Sequence, residues 1–292
     1  MSYRSIFREN AFDGQTIIVT GGGSGIGRCT AHELAALKAH VILIGRKQEK
    51  LDSVIAEIIE DGGTAQGFAC DIRDEDRVKE VVASIVSEHP IIHGLVNNAG
   101  GQFPSPLAAI SKKGWEAVIA TNLTGGFLMA REVYTQSMAR HGGGSVVNIV
   151  ADMWNGMPGM GHSGAARAGM VNFTQTASFE WGCSGVRVNA VAPGWIMSSG
   201  MDTYPEGFKN VLKTLRAAVP LKRMGNEAEV SSAICFLLSD AAAYISGTTL
   251  RIDGASSQGN TNVWPLIEHN HSKPFDGFHR EVTPDVFNDK GK

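Results

Sequence analysis

Glycines cluster in one short segment of this chain, Gly21-Gly22-Gly23-Ser24-Gly25-Ile26-Gly27, and their spacing suits the binding of phosphate. The segment follows an apolar run and precedes residues whose apolar side chains have helical spacing. At such a junction Gly21 permits a tight turn, Gly25 lets a pyrophosphate approach the backbone, and Gly27 allows the helix to pack closely on the strand. The free N–H groups at a helix start attract anions. We therefore predict that this segment, with Ser24 and Ile26, holds the pyrophosphate of a dinucleotide; the alternative is a purely structural turn.

A second candidate binding residue, Arg46, follows the next apolar run. Proteins that bind NAD usually carry an acidic residue about twenty residues after the glycines, where it bonds the ribose 2′-hydroxyl. Gly45 cannot make that bond, whereas the planar guanidinium of Arg46 suits a 2′-phosphate. The sequence therefore favours NADP(H) over NAD(H). The alternative is that Arg46 is a solvated charge at the start of a loop.

The elements that must position these residues alternate along the chain, because short apolar runs are separated by longer amphipathic segments. We predict helices at 24–38 and 48–60, and strands at 15–19, 40–44, 68–70, 95–96, 146–150 and 186–191. Strand–helix alternation with near-continuous Ile and Val runs predicts an α/β fold, a Rossmann-like, doubly wound parallel sheet in a single domain.

The predicted domain covers residues 1–254 and is followed by a C-terminal extension, residues 255–292. Within the domain, residues 195–224 form an irregular region with two prolines, which we predict to be a lid-like insertion. The extension is polar, and two alternatives remain open for it: irregular structure, or packing on a partner subunit.

Composition excludes several classes of function. The chain has 292 residues, is 43% hydrophobic and carries a net charge of −3, so it is too apolar for disorder. It has no basic run for nucleic acid and no apolar run near the ~18 residues of a membrane span. The four cysteines lie far apart without metal-ligand spacing, so we expect neither a metal site nor a disulfide framework. These features predict a cytoplasmic protein with a small-molecule substrate.

Further motifs follow the glycines along the chain: Asp71 after the third strand, Asn97-Asn98-Ala99-Gly100, Asn122, and Arg187-Val188-Asn189 leading to Pro193-Gly194. Together with the glycine segment they span residues 15–254 and resemble the short-chain dehydrogenase/reductase family. The resemblance implies hydride transfer with a nicotinamide cofactor and a homotetramer. It also implies cofactor contacts: Asp71 and Ile72 beside the adenine, Asn98, Gly100, Pro193 and Gly194 along the cofactor, and Ile196 facing the nicotinamide amide.

The chain departs from this family at the catalytic residues. The family uses a serine, a tyrosine thirteen residues later and a lysine four residues beyond the tyrosine. The aligned positions here are Val150, Ser163 and Arg167, and of the family's tetrad only Asn122 remains. Arg167 can bond a ribose and supply positive charge. The hydroxyl of Ser163 is too weak an acid near neutral pH to replace a phenol, so the usual alcohol–ketone mechanism is in question.

Three other side chains are candidates for the proton role. Asp152 lies at the exit of a predicted strand, where parallel sheets hold their ligands. His162, next to the aligned tyrosine position, titrates in the useful pH range. The competing interpretations are a helix cap or loop charge for Asp152 and a structural hydrogen bond for His162. Tyr204, in the predicted lid, is the third candidate, and packing is the favoured interpretation for it.

Two segments indicate a substrate class. Residues 162–169, His-Ser-Gly-Ala-Ala-Arg-Ala-Gly, are similar to the corresponding segment of peroxisomal-type trans-2-enoyl-CoA reductases. Hydride addition to an enoyl thioester gives an enolate, and its negative oxygen needs hydrogen-bond donors and positive charge. Asn122 and Arg167 are candidates for that role. The Met-rich residues 152–161 look like bacterial citronellol/citronellal dehydrogenases. We therefore predict reduction of the double bond of an enoyl-CoA thioester. The alternatives are a dehydrogenase of a branched terpenoid alcohol or aldehyde, and a degenerate NADP(H)-binding protein that is not an enzyme.

Overall fold

Parallel strands and helices alternate along the chain, of which the computed structural model describes residues 2–259 and 264–287. The strands are β1 Thr16–Thr20, β2 His40–Gly45, β3 Thr64–Ala69, β4 Gly94–Asn97, β5 Gly144–Ile149, β6 Val186–Pro193, β7 Ile196–Met197, β8 Gly225–Asn226 and β9 Thr249–Ile252. The α-helices are α1 Gly25–Ala36, α2 Gln48–Glu60, α3 Glu75–Glu88, α4 Lys112–Ile119, α5 Gly125–Val133, α6 Gly161–Glu180, α7 Glu206–Leu212 and α8 Glu227–Leu238. A seven-stranded parallel sheet has the order β3-β2-β1-β4-β5-β6-β9.

The central strands bury side chains on both faces, which is why their sequences are apolar throughout. In β1, Ile17 and Val19 lie in the core that includes α1, α2 and α8, whereas Ile18 lies in the opposite core with α3, α5 and α6. Successive side chains of a strand point to opposite faces, so one apolar run serves two layers of helices. The predicted single-domain, Rossmann-like α/β fold is confirmed.

The strand order reverses at β1, because β2 and then β3 lie on one side of it while β4 and the later strands lie on the other. The connections that leave the carboxyl ends of β1 and β4 therefore run in opposite directions and open a crevice between them. Doubly wound sheets bind their ligands in this crevice. The glycine segment follows β1 directly, so the fold delivers it to this position.

In the seven-stranded sheet, two strands differ clearly from the sequence-based expectation. The strand predicted at 68–70 is the end of β3, which already begins at Thr64, and β9 is not predicted at all. Both strands lie at edges of the sheet, and their side chains are half-buried or exposed. An edge strand with solvent on one side needs no continuous apolar run, so the pattern that identifies the central strands is missing.

The predicted lid, residues 195–224, is more regular than expected. β7 pairs in parallel with β8 just beyond the segment, and α7 lies between them. Met201, Leu212 and Met224 form a small core there, which Val286 of the C-terminal tail completes. The segment is therefore a folded unit with its own hydrophobic core.

The C-terminal tail, described over residues 264–287, packs on its own chain. The ring of Phe278 is 1% exposed and lies against Tyr3, with the guanidinium of Arg28 at 5.0 Å from the ring centroid. Arg280 forms ion pairs of 2.8 Å with Glu60 and 3.0 Å with Asp61 at the end of α2. Apart from a short 3₁₀ helix at Asp285–Phe287, the described tail contains neither helix nor strand. Packing of the extension on a partner subunit stays a prediction. Over the two described ranges, no helix combines the length and apolarity that crossing a bilayer requires.

Candidate active site

A cleft of about 550 Å³ opens at the carboxyl ends of the strands on both sides of the crevice. Its wall comes from the glycine segment, from the residues that follow β2 and β3, and from the loop after β4. The predicted cofactor contacts that line it are Gly21, Ser24, Ile26, Arg46, Asp71, Ile72, Asn98 and Gly100. The fold therefore brings these four separate segments to one site.

Close packing of two loops explains why glycines are needed in the first of these segments. A Cβ atom added to Gly21, whose φ is +66°, would lie 2.8 Å from Asn98 Nδ2. A Cβ atom added to Gly27 would lie 2.4 Å from the Gly21 oxygen and from the same Asn98 nitrogen. Asn98 donates from Nδ2 to the Thr20 oxygen at 3.0 Å, so the glycine turn and the loop after β4 are held together. The glycine segment thus keeps the backbone accessible where a pyrophosphate would approach.

The start of α1 fits the same ligand. Ser24 precedes the first helical residue, Gly25, and its side chain makes no capping hydrogen bond. The first N–H groups of α1 therefore have no side-chain cap from Ser24, and unsatisfied N–H groups at a helix start are good partners for phosphate oxygens.

Cationic side chains line the cleft beyond the glycines: Arg46, Lys47, Lys50 and Arg73. Arg73 Nε donates to Asp71 Oδ1 at 2.8 Å, and this hydrogen bond holds the pKa of the Asp71 carboxyl below its usual value. Because Arg73 neutralises Asp71, the other three cations give this part of the wall a net positive charge. Such a wall fits the 2′-phosphate that distinguishes NADP(H) from NAD(H).

Asn122 lies in a π-helical turn, Ala120–Thr124, between α4 and α5. Its Oδ1 accepts a hydrogen bond of 2.9 Å from the Gly101 N–H, in the loop that lines the cleft. Its Nδ2 is buried and has no partner among the described residues. Local π-helical geometry often occurs at functional sites. Here it places a buried donor without a protein partner beside the cleft wall.

Arg167, on α6, lies beside the same loop. A Cβ atom added to Gly100 would be 2.6 Å from Arg167 Nη2 and 3.2 Å from Asn122 Oδ1, so the three residues meet. Arg167 Nη1 donates to the Ile149 oxygen at 2.5 Å, while its Nε is buried and unpartnered within the described part of the chain. Burial lowers the pKa of the guanidinium to about 10, which leaves it charged at neutral pH. The orphaned donors of Arg167 and Asn122 fit a ligand rich in acceptor oxygens, as a nicotinamide ribose is.

Ser163, at the family's tyrosine position, is the first member of a polar chain. Its Oγ donates to Gln102 Oε1 at 2.6 Å, and Gln102 Nε2 donates to the Tyr204 phenol oxygen at 3.0 Å. Gln102 lines the cleft, and Tyr204 comes from the segment predicted as a lid. Tyr204 does pack, with its ring centroid 5.0 Å from that of Phe208, but its hydroxyl also belongs to this polar chain.

Asp152 and His162, two of the three predicted proton-transfer candidates, have other contacts. Asp152 accepts a hydrogen bond of 3.3 Å from Ser256, and burial together with the neighbouring Asp253 raises the pKa of its carboxyl. His162 Nδ1 accepts from the Ser163 N–H at 2.9 Å, and its ring lies edge-on to Phe103 at 4.4 Å between centroids. A structural hydrogen bond of this kind is the competing interpretation for His162. The proton role of either residue stays a prediction.

Six predicted cofactor contacts are not part of the described cleft wall: Gly25, Gly27, Arg167, Pro193, Gly194 and Ile196. Gly194 packs against Asp253, since an added Cβ atom would lie 2.8 Å from the Asp253 Cβ. The Ile196 side chain is buried in the main core next to Gly225, and its β7 strand fixes it there. The contact of Ile196 with the nicotinamide amide therefore stays a prediction taken from the family.

Glu227, a residue that the sequence analysis misses, lies beside the start of α1. Its Oε1 would be 3.8 Å from a Cβ atom on Gly25. The pKa of the Glu227 carboxyl is raised to about 7, chiefly by burial, while the charge of Arg28 opposes the shift and that of Glu281 adds to it. The carboxyl is therefore partly protonated near neutral pH, next to the backbone that would receive a pyrophosphate.

We expect Glu227→Gln to stabilise the chain at pH 8 and to leave its stability unchanged near pH 4.5. The folded chain holds the Glu227 proton more tightly than the unfolded chain, so the free energy of unfolding falls as the pH rises from 4.5 to about 7. The full difference is about 3 kcal/mol, from 1.36 kcal/mol per pKa unit. Urea unfolding of both proteins at several pH values measures it. Glu180→Gln, at an exposed helix end, is the control, and a gain independent of pH would contradict the expected titration.

Other missed residues had partial signals in the sequence. Gln102 follows the Asn98-Ala99-Gly100 motif by two positions, and Arg73 follows Asp71 by two. Lys47 and Lys50 lie at the start of a predicted helix, close to Arg46. Proximity along the chain to a predicted contact was the available signal for all of them, whereas nothing in the sequence links Glu227 to the glycine segment. Over the described residues, no cluster of His, Cys, Asp or Glu side chains has an arrangement that could hold a metal.

Comparisons with known proteins agree with this geometry. The family model described as Enoyl-(Acyl carrier protein) reductase matches residues 21–256. A protein named probable 2,4-dienoyl-CoA reductase from Bacillus subtilis is 34% identical over 243 residues, which cover 82% of this chain and 95% of that protein. A 3-oxoacyl-(acyl-carrier-protein) reductase from Synechocystis is 37% identical over 251 residues, covering 84% of this chain and 97% of its own.

Solved structures extend the comparison. The citronellol catabolism dehydrogenase AtuB of Pseudomonas aeruginosa is 64% identical, with a TM-score of 0.79, and the match covers 88% of this chain and 100% of that one. A structure described as an NAD(P)-dependent gluconate 5-dehydrogenase from Beutenbergia cavernae, with NADP bound at low occupancy, is 30% identical, with a TM-score of 0.79, covering 85% of this chain and 99% of that one.

Proposed function

The chain belongs to the short-chain dehydrogenase/reductase family, and from that premise we propose that it is an oxidoreductase that uses NADP(H). The cationic wall formed by Arg46, Lys47 and Lys50 carries the cofactor assignment, because three positive charges favour a 2′-phosphate over a 2′-hydroxyl. A homotetramer and a cytoplasmic location belong to the same proposal and rest on the family resemblance and the composition.

Different residues in and beside the cleft bind the phosphates of the cofactor and orient its reacting end. The glycine segment and the start of α1 receive the pyrophosphate, and Arg46 receives the 2′-phosphate. Arg167 and Asn122 supply buried donors and a positive charge where the ribose and the reacting end would lie. A bound nicotinamide would supply or accept the hydride. Positive charge and fixed donors at this end stabilise negative charge that develops on a substrate oxygen.

For the substrate we propose a branched terpenoid alcohol or aldehyde of the citronellol type. The observation that carries this choice is the 64% identity, over the whole of that chain, with a citronellol catabolism dehydrogenase. The sequence motifs alone favour an enoyl thioester over a terpenoid as the substrate, because the family tyrosine is absent. The phenol of Tyr204 at the end of the Ser163–Gln102 chain weakens that objection, since it offers an acidic hydroxyl near the tyrosine position.

Reduction of an enoyl-CoA double bond is the second candidate. It is supported by the dienoyl-CoA reductase relative and by Ser163 in the tyrosine position. Hydride addition to the β-carbon would leave an enolate oxygen, for which Arg167 and Asn122 are suitable donors.

One assay series separates the candidates. Oxidation of citronellol with NADP⁺ and reduction of citronellal with NADPH are measured beside NADPH oxidation with trans-2-enoyl-CoA esters of several chain lengths. We expect turnover with the terpenoid pair. Turnover with the thioesters alone would establish the second candidate, whereas tight NADPH binding without any turnover would support a degenerate binding protein.

A further inference from the structure

We propose that Tyr204 is the catalytic residue that exchanges a proton with the substrate oxygen, in place of the family tyrosine that is Ser163 in this chain. The inference rests on the proposed function, since it needs a substrate with an oxygen at the reacting end. It assigns a chemical role to a residue of the segment 195–224, which lies some forty residues beyond the family's catalytic positions along the chain.

Hydrogen bonds determine where the phenol lies. Ser163 donates to Gln102 Oε1 at 2.6 Å, and Gln102 Nε2 donates to the Tyr204 hydroxyl oxygen at 3.0 Å. Gln102 thus connects the lost tyrosine position with a tyrosine from another part of the fold. Since Gln102 lines the cleft, the phenol oxygen is one hydrogen bond from the cleft wall.

The phenol proton is available to a ligand. The Tyr204 oxygen accepts the Gln102 N–H, and among the described residues its hydroxyl donates to no protein group. A phenol that accepts one hydrogen bond keeps its own proton for a second partner. A carbonyl oxygen in the cleft would be such a partner.

Packing holds the Tyr204 ring in place. The ring lies 5.0 Å from that of Phe208, and the Tyr204 N–H donates to the Met201 oxygen at 3.3 Å. The C-terminal tail secures the same segment, because the Val286 N–H donates to Asp202 Oδ1 at 3.1 Å. A phenol held by a core and by a hydrogen bond is oriented before substrate binds, as proton transfer requires.

Positive charge lies near the polar chain as well. Arg167 is four residues after Ser163 on α6, so the two side chains lie on one face of the helix. The buried guanidinium would stabilise the negative charge that forms on the phenol or on the substrate oxygen.

The proton step balances in both directions. In carbonyl reduction the hydride adds to the carbonyl carbon, the π pair of the C=O bond takes the Tyr204 proton to form the alcohol O–H, and the phenolate regains a proton from water. In alcohol oxidation the phenolate accepts the alcohol proton while the hydride leaves the carbinol carbon.

The test is Tyr204→Phe in the full chain, which keeps the ring and removes the hydroxyl. We expect kcat for citronellal reduction to fall by about 100-fold or more, the usual contribution of a general acid, with KM changed less than about threefold. NADPH affinity, measured by fluorescence titration, and thermal stability are expected to stay unchanged. The solvent deuterium isotope effect on the residual rate should change, because water then supplies the proton. Tyr244→Phe, at a fully exposed tyrosine, is the matched control.

Each outcome decides between the proposals. If the parent chain turns over no terpenoid alcohol or aldehyde, the proposed substrate class fails and this inference fails with it, whether or not thioesters are reduced. If the parent is active and Tyr204→Phe retains its kcat and isotope effect, only the role of Tyr204 is overturned. Should Tyr204→Phe unfold, Gln102→Met decides instead. This variant keeps the Tyr204 ring and its packing but removes the hydrogen bond that orients the hydroxyl. A loss of about tenfold in kcat at unchanged NADPH affinity would support the proposal, and full activity would overturn it.

Discussion

Gly27→Ala is expected to weaken NADPH binding by about 10- to 100-fold. The new Cβ atom would lie 2.4 Å from the Gly21 oxygen and from Asn98 Nδ2, a separation that real atoms do not tolerate. Either the glycine turn or the Asn98 loop must move, and both line the cofactor cleft. Overpacking of this kind costs about 1–3 kcal/mol, which corresponds to the expected loss of affinity. Fluorescence titration with NADPH measures the dissociation constant, and thermal unfolding separates a local change from loss of the fold.

The matched control is Gly207→Ala, another glycine within an α-helix. A Cβ atom at Gly207 meets nothing within 4 Å, and its helix, α7, lies outside the glycine turn. We expect unchanged NADPH affinity and a stability gain of up to about 1 kcal/mol, because alanine is the better helix former. Equal NADPH affinity of Gly27→Ala and the parent chain would show that the cofactor does not use the glycine turn.

Arg46→Ala is expected to raise the dissociation constant of NADPH by about 10- to 100-fold and that of NADH by less than about threefold. A hydrogen bond to a charged group is worth about 1.5–3 kcal/mol, and only NADPH has the 2′-phosphate to receive it. Arg46 lines the cleft with an exposed guanidinium, whereas the neighbouring Arg73 is paired with Asp71. Titrations with both cofactors measure the change as a ratio.

Arg140→Ala is the control for Arg46→Ala, because Arg140 is exposed and is not part of the cleft wall. It should leave both dissociation constants unchanged. A loss of equal size for NADPH and NADH in Arg46→Ala would assign Arg46 to the part of the cofactor that both share. If Arg46→Ala changes neither dissociation constant, Arg46 is a solvated charge at the start of a loop and does not bind the cofactor.

This chain differs from its family at the aligned tyrosine position, where it carries Ser163. Ser163 bonds Gln102, and Gln102 bonds Tyr204. Gln102 therefore links the aligned tyrosine position to a phenol from another segment. The same loss of a tyrosine is compatible with both proposed reactions, so the kinetic comparison of substrates has to decide between them.

The fold class and the glycine turn after β1 could be predicted from the amino-acid sequence alone. Both depend on local chemistry: an apolar run must become a buried strand, and glycines placed directly after it permit a turn that other residues cannot adopt. The positions of Arg46, Asp71 and Asn98 followed as well, because each comes directly after a strand, and all carboxyl ends of a parallel sheet lie on one side.

Which distant residues lie together is visible only in the folded chain. Gln102 and Tyr204 are 102 positions apart, and Glu227 lies beside a helix start some 200 residues before it. Such contacts depend on strand order and on how the segment 195–224 and the tail fold back, and no local pattern records these. Motif spacing predicts which residues follow the end of a strand. It does not predict the hydrogen bond between Gln102 and Tyr204, because that bond depends on how a different segment packs.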